Sequence, residues 1–380
     1  MKSIPQARRR KLRTWKHGQG ASELQGHGST GNPISVLDLA SNDYLGLSKH
    51  PKLIDAARTI MDTNGVGAGA SRLVTGSRPI HDELEEALAS WLGKESVLLF
   101  PSGFQANLAA VIALADRHST VIADKLIHHS LLIGVKASGA KLQRFAHNDL
   151  NDLEKHLKRC NSHPSNSKPL VLTESLFSME GTSPDINEMA KLCERYGAQI
   201  LVDEAHSLGI MGPEGRGLCY ELSMPITILS GTFGKAFGSG GAFLASNKEL
   251  KEHLLQTSGA FRYSTALAPP LAAAGLAALK IIKRNPDWGK KLQQRAVHWR
   301  SQLSAKGWDH PPGNGPILPL KIGTDQKALF YQSQLEKAGL LSVAIRPPTV
   351  PEGTSRLRLT LSRNLPNGTL ERLMSALEAQ

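Results

Sequence analysis

The feature that most restricts the fold of this chain is a repeated alternation. Short runs of Val, Ile and Leu end in polar or glycine residues, and segments with helical spacing follow them. Leu98-Leu99-Phe100 ends in Pro101-Ser102-Gly103, ahead of a helical pattern from Phe104 to about Ala115. Val121-Ile122-Ala123 leads to Asp124, Leu170-Val171-Leu172 to Thr173-Glu174, Ile200-Leu201-Val202 to Asp203, and Ile226 to Leu229 leads to Ser230-Gly231-Thr232. Runs this short and this apolar read as strands buried on both faces. Their alternation with helices implies an α/β fold with a mostly parallel central sheet sandwiched by helices. In such sheets ligands bind outside the carboxyl ends of the strands, so the residues just after each run are the first candidates for chemistry.

At 380 residues the chain is too long for one small core. Apolar residues at 40% and charged residues at 21% exclude wholesale disorder. The texture divides it into an N-terminal segment, 1–45, a large α/β domain, 46–268, and a smaller C-terminal α+β domain, 269–380, that begins with a linking helix to about Arg284. Strands are expected near Ile317–Ile322, Leu341–Ile345 and Arg356–Leu361, with helices near Gln326–Lys337 and Asn367–Ala379. Asn161–Lys168, polar and carrying Pro164, reads as a surface loop.

No apolar run approaches the roughly 18–20 residues of a membrane span. Arg8-Arg9-Arg10-Lys11 is followed by polar and glycine residues, so no secretory signal is indicated. Cys160, Cys193 and Cys219 form no CxxC pair, which leaves a reducing compartment, the cytoplasm, as the expectation. Lys and Arg number 45 against 33 Asp and Glu, a formal charge of +12 that favours anionic partners: phosphorylated cofactors, coenzyme A or an acidic carrier protein. Aromatic residues at 5% give no stacking platform for single strands, so nucleic acid is not expected as the partner.

Three familiar patterns fail on context. Gly65-Val66-Gly67-Ala68-Gly69-Ala70 fits G-x-G-x-x-A, but a helical segment, Leu53 to Asn64, precedes it where a dinucleotide fold needs a strand. Asp203-Glu204-Ala205-His206 spells a helicase box, yet no phosphate loop lies upstream. His128-His129 has no ligand spacing around it that completes a metal site, so no metal is expected.

A different set coheres. Asp203 follows one strand, His206 lies three residues on, and Lys235 lies just past the next strand. An acid and a lysine at neighbouring strand ends match the needs of pyridoxal phosphate. A lysine amine holds the cofactor as a Schiff base, and a carboxylate keeps its ring nitrogen protonated. Backbone N–H groups at a helix start, as at Ser102-Gly103-Phe104, receive its phosphate.

The ordered motifs resemble those of the α-oxoamine synthases, fold-type I pyridoxal phosphate enzymes. Ser41-Asn42-Asp43-Tyr44-Leu45-Gly46-Leu47, Gly67-Ala68-Gly69-Ala70-Ser71-Arg72 and Ser102-Gly103-Phe104-Gln105-Ala106-Asn107 are similar to theirs, as are Asp203 to His206 and Thr232-Phe233-Gly234-Lys235. Arg144 to Asp149 and Ile345-Arg346-Pro347-Pro348-Thr349-Val350-Pro351 resemble the biotin-biosynthesis branch. The resemblance implies decarboxylative condensation of L-alanine with a pimeloyl thioester of coenzyme A or acyl-carrier protein. It further implies that Lys235 holds the cofactor and moves the proton at Cα. Asp203 pairs with the ring nitrogen, His206 with the phenolic oxygen, and His128 stacks on the ring. Gly103, Phe104, Ser178 and Thr232 contact the cofactor, while Ser264 and Thr265 reach the phosphate in a neighbouring subunit of a homodimer. Arg358 clamps the amino-acid carboxylate, Thr349 lines the substrate pocket, and Asn42, Glu174 and the N-terminal Arg13 complete the set. Glycine acetyltransfer, amino transfer on the same fold, and a non-enzymatic basic binding protein remain the competing readings.

Overall fold

The computed structural model of the chain describes residues 4–28, 31–162 and 167–378. The centre of the expected loop at 161–168 and the last residue of the expected C-terminal helix lie outside the described residues. The chain divides into two compact units. The larger comprises Leu47–Phe177 and Ser183–Gly289; the smaller comprises Met1–Gly46, Ser178–Thr182 and Lys290–Gln380.

The larger unit is built on a seven-stranded sheet in the order Ser96–Phe100, Ala242–Ser246, Ile228–Thr232, Gln199–Asp203, Leu170–Glu174, Thr120–Asp124, Lys141–Phe145. Ala242–Ser246 runs antiparallel to both neighbours, and the remaining pairs are parallel. Ser96–Phe100, Leu170–Glu174 and Ala242–Ser246 are buried at every position, which is why each carries an unbroken apolar run, with polar residues only at its ends, and does not alternate. Helices Gly103–Leu114 and His129–Ser138 pack together and against the sheet. The strand expected at 226–229 lies two residues later, at Ile228–Thr232.

The helix Pro269–Arg284, expected to open the C-terminal domain, belongs to the larger unit. Its buried Ala, Leu and Ile positions pack on Pro51–Asn64 and Pro79–Leu92. The boundary therefore falls at 289/290, where helix Trp288–Ala305 begins.

In the smaller unit the first 46 residues are part of the same fold as the C-terminal portion. Trp15–His17, Glu23–His27 and Pro33–Asp38 form an antiparallel sheet, and Leu340–Leu341 adds to its edge in parallel. A second sheet orders Ile317–Gly323, Ser355–Thr360 and Val343–Ile345, all antiparallel. The single strand expected over Leu341–Ile345 is thus two strands in two sheets, parted at the buried Ser342. No helix among the described residues is long and apolar enough to cross a membrane.

Candidate active site

The parallel register brings three polar side chains to one sheet edge. Glu174 pairs with Asp203, and Asp203 with Ser230, on successive strands. Residues in register across a parallel ladder stand on the same face, roughly 4.8 Å apart along the sheet. Here that face ends in a cavity of about 200 Å³. Lys235, His206, Thr232, Gly103, Phe104 and His128 line it as well.

Lys235 is carried on a tight loop. Phe233 and Gly241 join through a backbone bond of 2.9 Å, and the Gly238 N–H returns to the Lys235 carbonyl at 2.9 Å. Gly238 has φ +62, and a Cβ on it would stand 2.4 Å from the Ser48 N, so only glycine closes this turn. Thr232 is committed within the loop: its hydroxyl donates to the Gly241 carbonyl at 2.9 Å and accepts from the Gly234 N–H at 3.2 Å.

Asp203 is 6% exposed, and both its oxygens are held. Oδ1 accepts the Ala205 N–H at 2.9 Å and Oδ2 accepts Asn107 Nδ2 at 2.7 Å. The same Asn107 nitrogen donates to Ser130 Oγ at 2.9 Å, and Ser130 Oγ lies 2.7 Å from His128 Nδ1. His128 Nδ1 also accepts the Ser130 N–H at 3.3 Å, capping helix His129–Ser138. An acceptor at Nδ1 places the proton of a neutral ring on Nε2. The His128 ring faces solvent at the cavity mouth, but the protein packed about it pushes its pKa below the usual imidazole value. Asp203 opposes this shift and Lys235 adds to it. One chain of polar contacts therefore runs from Asp203 through Asn107 and Ser130 to His128.

Helix Gly103–Leu114 begins at the cavity. The Ser102 hydroxyl accepts the Gln105 N–H at 3.3 Å and its carbonyl accepts Ala106 N–H at 3.0 Å. Among the described residues this leaves the N–H groups of Gly103 and Phe104 as the unclaimed donors of the first turn. A Cβ on Gly103 would meet nothing nearer than Thr232 at 3.9 Å, so the space before these donors is open. Asn107, one turn on from Gly103, shares its face of the helix.

In the smaller unit, Arg358 is 5% exposed on strand Ser355–Thr360. Its Nε donates to the Ser178 carbonyl at 2.6 Å, Nη1 to Thr360 Oγ1 at 2.9 Å and Nη2 to Asn42 Oδ1 at 3.0 Å. Each Nη keeps one further proton, so the guanidinium retains a two-pronged donor. Thr349 is exposed, and its hydroxyl accepts Arg10 Nη2 at 2.8 Å. Arg13 is otherwise engaged: it pairs with Glu336 at 2.6 Å, donates to the His27 carbonyl at 2.9 Å and stacks over Trp15.

Of the residues singled out from sequence, Lys235, Asp203, His206, His128, Gly103, Phe104, Thr232 and Glu174 line the one cavity. Ser264 and Thr265 do not; Ser264 Oγ accepts from Gln105 Nε2, and Thr265 is exposed. Sequence reasoning assigned no role to Asn107 or Ser130. The Ser-Gly-x-x-Ala-Asn spacing held a signal for Asn107, since it sets that amide a turn beyond the glycine.

The aminotransferase class I and II family matches residues 34–377. An 8-amino-7-oxononanoate synthase of Acidithiobacillus ferrooxidans is 41% identical over 353 residues, spanning 92% of this chain and 89% of that one. The chain belongs to the 8-amino-7-oxononanoate synthase family. A second family member, from Alkalilimnicola ehrlichii, is 39% identical over 93% of this chain and 89% of its own length. Among solved structures, a serine palmitoyltransferase of Sphingomonas wittichii superposes with TM-score 0.90 at 27% identity, over 97% of this chain and 91% of its own. The 8-amino-7-oxononanoate synthase of Francisella tularensis gives 0.76 at 28% identity, over 90% and 96%. One serine palmitoyltransferase structure, also at TM-score 0.90, carries pyridoxal phosphate. The cavity fits that group in its donor set: a lysine amine, a held carboxylate, two unclaimed N–H groups at a helix start, and a buried Asn107 Oδ1 with no partner among the described residues.

Proposed function

We infer that this chain condenses L-alanine with a pimeloyl thioester in biotin biosynthesis, giving 8-amino-7-oxononanoate, CO2 and the free thiol. The observation that carries this is the meeting of Asp203, Lys235, His128 and His206 in one cavity of a chain 41% identical to a family member. Pyridoxal phosphate, when bound, supplies an electron sink for charge developing at the amino-acid Cα.

The chain's own residues then divide the work. Lys235 would hold the cofactor through its amine, and would take and return the proton at Cα. Asp203, fixed by Asn107 and the Ala205 N–H, presents its charge to the ring nitrogen. His206 would hold the phenolic oxygen and Thr232 would add a polar contact. The neutral imidazole of His128 packs on the ring without adding a competing cation. The N–H groups of Gly103 and Phe104 receive the phosphate. Arg358 takes the alanine carboxylate on its two free protons, with Asn42 and Ser178 fixing its planar fork. The new bond joins Cα to the thioester carbonyl carbon, the thiolate leaves, and the alanine carboxylate departs as CO2. Thr349 lines the acyl path. Arg13, already spent on Glu336, serves as its wall.

A homodimer completes the site in this reading. Val66 is 73% exposed, Val74 73% and Tyr263 81%, with Phe104 and Leu73 also exposed; these apolar side chains support a partner surface, from which Ser264 and Thr265 reach the phosphate of the other subunit. The cytoplasm is the assigned compartment, in keeping with three unpaired cysteines.

The test is the visible spectrum of the purified holoenzyme before and after L-alanine, followed by thiol release with alanine and a pimeloyl thioester. Alanine perturbs the spectrum and thiol appears. Release with glycine and acetyl-CoA but none with alanine assigns glycine acetyltransfer instead. Amino transfer to a keto acid without thiol release assigns an aminotransferase. A colourless protein unaffected by Lys235→Ala refutes enzymic use of the cavity altogether.

A further inference from the structure

The chain leaves the larger unit after Phe177, gives five residues, Ser178–Thr182, to the smaller one, and returns at Ser183. Two arginines of strand Ser355–Thr360 hold this segment. Arg356 and Arg358 are both buried, and they stand two apart on the strand, hence on one face and roughly 7 Å from each other along it. Their partners differ in kind. Arg356 Nη1 donates to Glu180 Oε1 at 3.2 Å and to the Met179 carbonyl at 3.3 Å, and its Nε donates to the Thr354 carbonyl at 3.2 Å. Arg358 meets only neutral acceptors among the described residues: the Ser178 carbonyl, Thr360 Oγ1 and Asn42 Oδ1. Glu180 thus neutralises one guanidinium, and the other keeps its charge for an incoming carboxylate.

The two sets of contacts are joined through the main chain. Arg358 Nε has one anchor, the Ser178 carbonyl at 2.6 Å, and a carbonyl points where its own backbone holds it. Arg356 takes the next carbonyl, that of Met179, and the next side chain, that of Glu180. Gly181 then packs on the main chain of Ile317, where a Cβ would stand 2.4 Å from the carbonyl oxygen. Ile317 pairs in turn with Thr360, the residue that holds Arg358 Nη1. Four consecutive residues are therefore fixed by two arginines and a neighbouring strand, and the fork of Arg358 is aimed by what they fix. A guanidinium binds a carboxylate through two parallel N–H groups, so the plane it lies in matters as much as its charge.

We propose that the Arg356–Glu180 ion pair is a positioning pair for amino-acid binding: it fixes the Ser178 carbonyl and, through it, the plane in which Arg358 presents its two free N–H groups to the substrate carboxylate. Arg356 and Glu180 act through Arg358 and touch neither substrate nor cofactor in this role. The inference rests on the assignment of Arg358 to that carboxylate. Charge-conserving variants isolate geometry, because neutral ones would also change the field at the carboxylate. Spectral titration of the Arg356→Lys holoenzyme gives an L-alanine affinity about fivefold weaker than wild type, while the thioester KM stays within about twofold. Glu180→Asp, which keeps the charge on a shorter arm, weakens alanine in the same sense and serves where the first variant fails to retain cofactor. The decisive measurement is Arg356→Lys made in the Arg358→Lys background: the fork is already gone, so the second change costs alanine less than about twofold more. A merely structural role predicts the same loss in both backgrounds. That result, equal rises in the alanine and thioester KM, or wild-type alanine affinity in both single variants overturns the proposal. If the wild-type spectrum answers another amino acid in place of alanine, the reaction is reassigned, and the same ratios read with that amino acid support or overturn the pair. A wild type that answers no amino acid removes the reaction and the pair together.

Discussion

Glu204, next to the carboxylate beneath the cavity, offers a quantitative check on the buried polar architecture. It has no exposure, and Oε1 accepts from Leu218 N–H at 2.6 Å, Cys219 N–H at 3.2 Å and Ser207 Oγ at 3.0 Å. Oε2 has no hydrogen-bond partner among the described residues and lies against Gly217. Burial raises the carboxyl pKa from 4.5 to about 7, hydrogen bonding from Leu218, Ser207, Ser175 and Cys219 only partly offsetting it. The folded protein thus keeps a proton that the unfolded chain releases. The stability this lends is complete below about pH 4.5 and is lost as the pH rises through 7. A rise of that size corresponds to about 3 kcal/mol. In Glu204→Gln the three donors keep their acceptor oxygen. Its amide nitrogen lacks a partner at every pH, which costs about 1–3 kcal/mol. Thermal melts of the two holoenzymes from pH 4.5 to 8.5 therefore draw together or cross as the pH rises, the wild type losing the larger amount, by several degrees in Tm. Parallel curves at constant separation would show that Glu204 stays charged throughout, and the account of a proton stored beside Asp203 would be wrong.

Three further perturbations report on the same region and on the smaller unit. Asn107→Leu, close in volume, removes the 2.7 Å donor to Asp203 and the 2.9 Å donor to Ser130; spectral titration shows cofactor affinity lower by about tenfold or more, and unchanged affinity denies Asn107 its positioning role. Arg358→Lys replaces a fork by a point charge and raises the KM for alanine about tenfold or more, with a smaller change in that of the thioester; an equal rise in both places Arg358 outside the alanine site. Gly217→Ala sets a Cβ 2.1 Å from Glu204 Oε2 at φ +90 and lowers Tm by several degrees, whereas an unaltered melt would mean that the loop yields freely.

The larger unit was legible because its signals are local. Leu170–Leu172 and Ile200–Val202 are strands buried on both faces, so each announces itself by composition, and the acids that end them lie where parallel sheets bind ligands. In the smaller unit the elements near 317–322, 326–337, 356–361 and 367–379 were legible too, but not their assembly, which rests on pairings distant in sequence. Pro33–Asp38 pairs with Leu340–Leu341, and nothing near residue 35 states that requirement. The break at Ser342 likewise answers two sheets at once, so an apolar run read as one strand. Arg13 was chosen as a cation of the right type near the N-terminus; composition does not reveal that Glu336 would claim it and leave Arg10 to Thr349. Asn107 was missed for a different reason: an amide in a helix is unremarkable until Asp203 is known to stand 2.7 Å away.

What distinguishes this chain from others of its fold lies in side chains more than in backbone. Its backbone follows a serine palmitoyltransferase more closely, at TM-score 0.90, than the 8-amino-7-oxononanoate synthase of Francisella tularensis, at 0.76, although identity is 27% in one case and 28% in the other. A shared backbone thus does not choose the acyl group. The cofactor cavity does not choose it either, since an amine, a carboxylate and a helix start serve any amino acid activated at Cα. In the reading proposed above, selection between donors falls to the groups along the acyl path: Thr349, the Arg10 that holds its hydroxyl, and the apolar side chains of the same groove. Exchanging these residues for those of a serine palmitoyltransferase should therefore move thioester preference while the spectral response to amino acid stays in place. If the spectrum and the donor preference shift together, binding and activation are not separable in this fold as argued.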